Sequence, residues 1–247
     1  MSISPSKKVL VSIEDGVATL RTNNPAANTW DLESLPALEA VVNKLNDMAE
    51  VRALVITGQG AKFFSAGADL NQFANGDPIA AGAMGEAFGA AFETLADYRG
   101  VSIAAINGYA MGGGLEVALA CDIRIAESHA ALALPEAKVG LLPCAGGTQR
   151  LAQLVGEGWA KRIMLCGERV SAEKAMALGL VEEVVASGTS LAAAIDLAKR
   201  ASDHSPTSIA ACKRLMHSAR DITMGAGGDA ERDEFGALFS AGDQKEG

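Results

Sequence analysis

Apolar residues recur with two different periods along the chain, and the two periods separate strands from helices. Alternation over residues 8–22, interrupted by an acidic turn that ends at Gly16, predicts a β-hairpin. Residues 35–49 place apolar side chains at steps of three and four, which predicts an amphipathic helix. Short, mainly apolar runs predict four more strands, at residues 51–57, 101–106, 122–126 and 131–134.

Helical patterns fill the spaces between these strands and then take over the rest of the chain. A proline after Ser205 marks one helix start, because proline is favoured at the first helical position. Strands that alternate with helices, followed by helices alone, indicate an α/β fold with a helical C-terminal part. We therefore expect a core over residues 1–190 and a helical subdomain over residues 191–247. The helices are expected at residues 75–99, 115–121, 171–178, 191–202, from 205 onwards and 229–240.

Charge and composition exclude several classes of protein. The chain has 247 residues, and its 21 basic and 30 acidic residues give a net charge of −9. Binding to a nucleic-acid backbone needs clustered lysine and arginine, so this acidity argues against a nucleic-acid partner. No apolar stretch is long enough to span a membrane and no targeting signal is recognisable, which predicts a cytoplasmic protein. The four cysteines and three histidines lack the spacing of a metal site, so no metal is expected.

Glycine is in clear surplus, with 27 copies among 247 residues, where about 7% would be usual. Two segments, 51–67 and 101–113, share the order strand, glycine, loop, glycine and helix. If the two strands are neighbours and parallel, the N–H groups of Ala68 and Gly113 lie together at the starts of two helices. Such a pair of donors would form an oxyanion hole, which stabilises a developing negative charge. The alternative is that these glycines serve only in turns and close packing.

Other motifs that use glycine do not fit this chain. Val117 stands where a dinucleotide-binding G-x-G-x-x-G would need its last glycine, and no Lys-Ser/Thr pair completes a P-loop. Phe63 stands where the nucleophile elbow of a serine hydrolase would need its first glycine. The sequence therefore predicts neither a nucleotide site nor a serine nucleophile.

Two glutamates are candidates for the chemistry. Glu116 is the only charged residue between Gly112 and Cys121, and a carboxylate in so apolar a helix is costly unless it is paired, solvated or used. Glu136 follows Pro135, an order that also occurs at ordinary helix starts. Each glutamate thus has a structural alternative: Glu116 could be a solvent-facing acid in the first turn of a helix, which the helix dipole favours, and Glu136 could belong to an ordinary helix start. If both carboxylates face the oxyanion hole, their pKa values can separate and they can act as base and acid.

Four motifs together resemble the enoyl-CoA hydratase/isomerase, or crotonase, family. They follow one another in the family's order over nearly the whole chain, which makes them far more specific than a single glycine motif. The motifs are FSAGADL at residues 64–70, NGYAMGGGLE at 107–116 with Cys121 and Asp122 after it, PEAKVGLLP at 135–143, and GGTQRL at 146–151.

The resemblance implies a spiral of ββα repeats, with C-terminal helices that assemble trimers, or hexamers made of two trimers. It implies an acyl-CoA thioester as the ligand, with its carbonyl oxygen held by the N–H groups of Ala68 and Gly113. Coenzyme A is part of this substrate, so the resemblance implies no separate cofactor. The substrate-binding positions that it implies are Ala66, Gly67, Ala68, Asp69, Leu70 and Gly113.

Activity within the family follows the residues at the two acid positions. Glutamate at both Glu116 and Glu136 is the pattern of 2-enoyl-CoA hydratases, which implies that water adds across the C2=C3 bond between the two carboxylates. By the resemblance, Glu116 is expected to be the base and Glu136 the proton donor. Asn71 departs from the lysine of many hydratases, and Lys62 is the candidate substitute for binding phosphate.

Two kinds of alternative stay open at this point. The protein could be a Δ3,Δ2-enoyl-CoA isomerase, although isomerases typically keep only the acid that matches Glu136. It could also be a hydratase for branched or dicarboxylic acyl chains. It could also be a non-catalytic member of the family that binds acyl-CoA or RNA. The net charge of −9 weighs against RNA.

Overall fold

Ten strands form two sheets in the computed structural model, which describes residues 3–73 and 76–241. In chain order the strands are β1 (Val9–Glu14), β2 (Val17–Thr22), β3 (Ala53–Gly58), β4 (Phe63–Ser65), β5 (Val101–Ile106), β6 (Tyr109–Met111), β7 (Ile123–Glu127), β8 (Ala131–Ala133), β9 (Val170–Ser171) and β10 (Glu183–Val185). The larger sheet has the order β1-β2-β3-β5-β7-β10, and the smaller has the order β4-β6-β8-β9. All neighbours are parallel except the β1–β2 hairpin and the β8–β9 pair.

Helices follow the strands in a regular order. They are α1 (Ser34–Asn46), α2 (Pro78–Ala96), α3 (Gly113–Ala120), α4 (Gly147–Leu165), α5 (Ala172–Ala177), α6 (Ser190–Ser202), α7 (Pro206–Ser218) and α8 (Met224–Ala241). Three times in succession, the chain passes through the larger sheet, then the smaller sheet, then a helix: β3-β4-α2, β5-β6-α3 and β7-β8-α4. This order confirms the expected α/β class and its ββα repeats.

Strand β3 shows why the central strands read as unbroken apolar runs. All six of its residues are buried, because the sheet is covered on both faces. Leu54 and Ile56 contribute to the main core, and the alternate residues Ala53 and Val55 pack with α6 on the opposite face. Strands β3 and β5 are parallel neighbours, which is the condition for the two glycine units to lie together. Their carboxyl ends therefore lie side by side, where the two glycine loops begin.

Helix α6 is the first helix beyond residue 190, and it packs on the larger sheet through Ala194 and Ala198. Helix α7 is tied to the core by Lys213, whose ammonium donates to the Tyr98 carbonyl at 2.7 Å and pairs with Asp122 at 2.8 Å. The division into a core and a helical subdomain stays a prediction. No helix among residues 3–73 and 76–241 is both long and apolar enough to cross a membrane.

Several elements differ from the sequence prediction. The chain after Gly67 forms a single 3-10 turn, Leu70–Phe73, where an α-helix was expected to begin, and α2 itself starts at Pro78. The predicted start at residue 75 lies outside the described residues. Helix α4 was not predicted, and Gly156 interrupts its helical backbone with a φ of 73° and a ψ of 159°. That break removes the continuous period by which a helix of this length is recognised.

Candidate active site

A cavity of about 490 Å³ opens beside the N-terminus of α3 and brings together most of the residues predicted to form the site. Its walls are largely apolar, with Phe88 of α2 and Leu141 among them, so a carboxylate that enters it loses much of its hydration. The predicted residues that line it are Ala66, Ala68, Asp69, Leu70, Gly113, Glu116 and Glu136.

Two glycine loops meet in backbone contact at this cavity. Gly67 has a φ of 88°, and a Cβ at this position would lie 2.7 Å from the Met111 carbonyl oxygen and 2.9 Å from the Gly113 nitrogen. Only glycine both adopts this backbone conformation without strain and permits this approach. The predicted meeting of the two units is therefore observed, and it places residues 67 and 113 next to each other.

Ala68 and Gly113 both line the cavity. Neither of their backbone N–H groups donates a hydrogen bond to any of the described residues. Gly113 is the first residue of α3, so its N–H has no acceptor within the helix. Gly113 is buried and Ala68 is half-buried, and because backbone donors shielded from water are nearly always paired, two free N–H groups on residues of one cavity are suited to a ligand oxygen.

The segment that carries Ala68 is fixed from both sides. The Trp30 N–H donates to the Gly67 carbonyl at 2.8 Å, and the Asp69 N–H donates to the Trp30 carbonyl at 2.9 Å. The Ser65 hydroxyl donates to the Asn28 carbonyl at 2.7 Å. These bonds fix the backbone on both sides of Ala68 and do not use its own N–H.

Glu116 is buried, with 2% of its surface exposed, although it lies in the first turn of α3. Its Oε1 accepts hydrogen bonds from the Ala145 N–H at 2.8 Å and the Gly147 N–H at 2.9 Å, at the N-terminus of α4. Burial raises the pKa of Glu116, and these two N–H groups, together with the charge of Arg150, oppose the rise. The alternative of a solvent-facing acid is therefore wrong for Glu116.

Glu136 is half-buried and begins a single 3-10 turn, Glu136–Val139. Its Oε2 is buried and has no hydrogen-bond partner among the described residues. Burial, reinforced by repulsion from Glu116, raises the pKa of Glu136 to about 7. A Cβ placed on Gly112 would lie 3.0 Å from Oε1 of Glu136, so this carboxylate adjoins the loop that presents Gly113. Near neutral pH it is therefore in part a protonated acid.

Sequence reasoning did not identify the loop that binds Glu116. Ala145 and Gly147 act through their backbone N–H groups, and the only signal in the sequence was the Gly-Gly pair at a helix start. Cys144, in the same loop, lines the cavity. Cys144 is exposed as a residue, but partial loss of solvent around its sulfur, together with the two carboxylates, raises the pKa of the thiol to about 11, so the thiol stays protonated.

Lys62 is not brought into the cavity. It is exposed, and its ammonium lies 5.4 Å from the centre of the Phe63 ring. Asn71 is also exposed and donates from its amide to Oδ1 of Asp69 at 2.8 Å. A cation that does line the cavity is Lys138, which sequence reasoning did not name. The role of Lys62 in binding phosphate stays a prediction.

Unpaired backbone N–H groups near a carboxylic acid of raised pKa and a hydrogen-bonded carboxylate are groups of the kind that enzymes use to stabilise an oxyanion and to transfer protons. The class can be stated more narrowly. The chain belongs to the enoyl-CoA hydratase/isomerase family, whose model matches residues 12–247. The resemblance read from the four motifs is thereby confirmed.

Individual relatives agree with the family. The short-chain-enoyl-CoA hydratase of Clostridium acetobutylicum is 34% identical over 96% of this chain and 92% of its own length. The 2,3-dehydroadipyl-CoA hydratase of Escherichia coli is 37% identical over 97% of this chain and 93% of its own length. Among solved structures, Pseudomonas aeruginosa DspI is 56% identical, with a TM-score of 0.94 over 96% of this chain and 97% of its own. An enoyl-CoA hydratase from Bacillus anthracis is 32% identical, with a TM-score of 0.91 over 95% of this chain and 92% of its own, which confirms the crotonase-like fold.

Proposed function

We propose that this protein is a 2-enoyl-CoA hydratase that adds water across the C2=C3 bond of enoyl thioesters. The observation that carries the proposal is the contrast between two carboxylates in one cavity. Glu116 accepts two backbone hydrogen bonds, whereas Oε2 of Glu136 has no partner among the described residues. Relatives from Clostridium acetobutylicum and Escherichia coli that match nearly the whole chain are named as hydratases of this kind.

The thioester carbonyl is proposed to lie between the N–H groups of Ala68 and Gly113. Addition at C3 moves electron density to this oxygen, and both donors stabilise the resulting enolate. One oxyanion donor contributes roughly 3–4 kcal/mol in other enzymes. The coenzyme A part is proposed to extend along residues 66–70, four of which line the cavity.

The two glutamates are proposed to divide the proton transfers. Glu116 accepts a proton from water as the water oxygen bonds to C3, because its two N–H partners favour the ionised form. Glu136 delivers its proton to C2, because its unpartnered oxygen favours the protonated form. Afterwards Glu116 releases its proton to solvent and Glu136 takes up a proton from solvent, which restores the starting state. Water and these groups suffice, so we propose no cofactor.

The C-terminal helices are proposed to assemble trimers, or hexamers of two trimers. Helix α8 leaves two aromatic side chains in solvent, Phe235 at 67% and Phe239 at 58% exposed, in contact with each other. Apolar area of this kind is stabilised when a second copy covers it. Sedimentation velocity of the full chain tests this part independently of activity.

Hydration assays across a series of 2-enoyl-CoA chain lengths test the function. We expect loss of the ultraviolet absorbance of the enoyl thioester with the wild type, and a fall in kcat of about 10²–10⁴-fold in both Glu116→Gln and Glu136→Gln. The matched control is Glu86→Gln, on an exposed face of α2, which should keep full activity. No hydration at any chain length, or unchanged turnover in either variant, would refute the assignment. Conversion of 3-enoyl-CoA without hydration of 2-enoyl-CoA would establish the isomerase instead.

A further inference from the structure

Arg150 reaches back over the loop that binds Glu116. Its Nη1 donates a hydrogen bond to the Ala145 carbonyl at 2.9 Å. The N–H of the same residue, Ala145, donates to Oε1 of Glu116 at 2.8 Å. One residue of the loop therefore connects the guanidinium to the carboxylate, with Arg150 holding its carbonyl and Glu116 receiving its N–H.

The loop is shaped to admit the guanidinium. Gly146 has a φ of 90°, and a Cβ at this position would overlap Nη1 of Arg150. A Cβ on Gly147 would lie 2.8 Å from Oε1 of Glu116. The two glycines thus leave room for the arginine on one side of the loop and for the carboxylate on the other. A side chain at Gly146 would displace the Arg150 guanidinium, and a side chain at Gly147 would displace the Glu116 carboxylate.

The Arg150 side chain is half-buried, yet no carboxylate of the described residues lies within 4.0 Å of it. An arginine that served the fold alone would usually be paired with an acid or left in water. The fixed contact of Arg150 is instead the Ala145 carbonyl, and its charge lowers the pKa of Glu116. The other charged or titratable groups that act on it or share its cavity are Glu93 and Asp97 near the end of α2, Cys121 after α3, Asp122 and Arg124 at β7, and Lys213, His217, Arg220 and Asp221 at or after α7.

We propose that Arg150 is a positioning residue for Glu116, which it aligns through Ala145 and keeps ionised. The inference rests on the proposed function only where it treats Glu116 as the base of hydration. Arg150 itself is absent from the lining of the reaction cavity and lines a second cavity. Its removal should therefore change the catalytic step more than substrate binding.

Kinetics of Arg150→Met and Arg150→Lys test this role. A misplaced catalytic group costs about 10²-fold, so we expect kcat of Arg150→Met to fall about 10- to 100-fold with KM changed less than about twofold. The acidic limb of the kcat profile should move to higher pH, since Glu116 loses a neighbouring positive charge. Arg150→Lys should recover part of the loss. The matched control is Arg220→Met. It removes a guanidinium that lines the same second cavity as Arg150, and it should retain wild-type kcat.

Carbon-13 NMR titration of labelled glutamate, assigned with Glu116→Gln, supplies a readout independent of activity. Arg150→Met should raise the pKa of Glu116, and Arg220→Met should leave it nearly unchanged. An unchanged Glu116 titration in Arg150→Met, or equal losses of kcat in both methionine variants, would overturn the proposal. If Arg150→Met does not fold, Arg150→Gln decides, because it removes the charge but keeps a polar side chain, and a wild-type kcat and pH profile there would overturn the proposal. If the folded wild type hydrates no substrate, the proposed hydratase function is refuted. The titration still tests whether Arg150 lowers the pKa of Glu116.

Discussion

Replacing Glu136 by glutamine should stabilise the protein at alkaline pH while it removes activity. Burial raises the pKa of Glu136 from 4.5 to about 7, so the folded state binds this proton more tightly than the unfolded state does. The stabilisation from the bound proton is complete below about pH 4.5 and is lost as the pH rises to about 7. Above that, the wild type retains an ionised group whose Oε2 has no partner among the described residues. Glutamine has nearly the same shape and no charge.

The size of the effect follows from the two pKa values. A difference of about 2.5 between 4.5 and about 7 corresponds to roughly 3 kcal/mol of unfolding free energy. Because the carboxyl group is half-buried, solvent screening reduces this figure, and we expect about 1–2 kcal/mol. For a chain of this size such a change moves the midpoint of thermal unfolding by about 2–8 °C.

Urea unfolding, followed by circular dichroism at pH 5 and pH 8.5, measures this difference. The free energy of unfolding of Glu136→Gln, measured relative to the wild type, should be higher at pH 8.5 than at pH 5. Glu86→Gln, on an exposed helix face, should follow the wild type at both. If Glu136→Gln shows the same stability difference at pH 5 and pH 8.5, then Glu136 does not titrate in a buried environment and the reasoning fails.

Three further predictions concern catalysis and binding. The kcat for hydration should fall above about pH 7, as Glu136 loses the proton that we propose it donates to C2, and a rate that stays flat to pH 9 would contradict this role. Gly67→Ala should lower kcat about 100-fold or more in the same assay, because its Cβ would lie 2.7 Å from the Met111 carbonyl and displace the oxyanion donors; near-wild-type turnover would refute this. Lys62→Ala should raise KM for enoyl-CoA a few-fold with kcat unchanged, since an exposed ion pair is worth about 0.2–1 kcal/mol, and an unchanged KM would remove Lys62 from phosphate binding.

Local signals in the sequence were sufficient for much of the fold. The β1–β2 hairpin follows from its alternation and its turn, and α7 from Ser205, whose hydroxyl accepts the Ser208 N–H at 3.1 Å as an N-cap. Strands β4 and β6 have only three residues each, too few to show a period, and they exist because they pair with each other across the spiral. Such pairing depends on residues far apart in sequence, which a local pattern does not contain.

The candidate site was predictable in its residues and much less so in its contacts. Glu116 was conspicuous as a lone charge in an apolar helix, and the glycines marked where two loops had to approach closely. The partners of Glu116 are backbone N–H groups of Ala145 and Gly147, about thirty residues further along the chain. Backbone donors carry no side-chain signature, so the sequence did not show which oxygen they would meet.

The proposed division of labour between the two glutamates follows from their surroundings rather than from their chemistry. Glu116 lies against the N-terminus of α4, where two N–H groups and the helix dipole favour negative charge. Glu136 leaves one oxygen buried without a partner, so it favours the proton, and the charge on Glu116 strengthens that preference. Each carboxyl group therefore keeps the other in its working state: an ionised Glu116 keeps Glu136 protonated, and a protonated Glu136 adds no repulsion that would protonate Glu116. Neutralising Glu116 as glutamine should consequently lower the pKa of Glu136, and a carbon-13 titration in which it stays at about 7 would show that burial alone sets it.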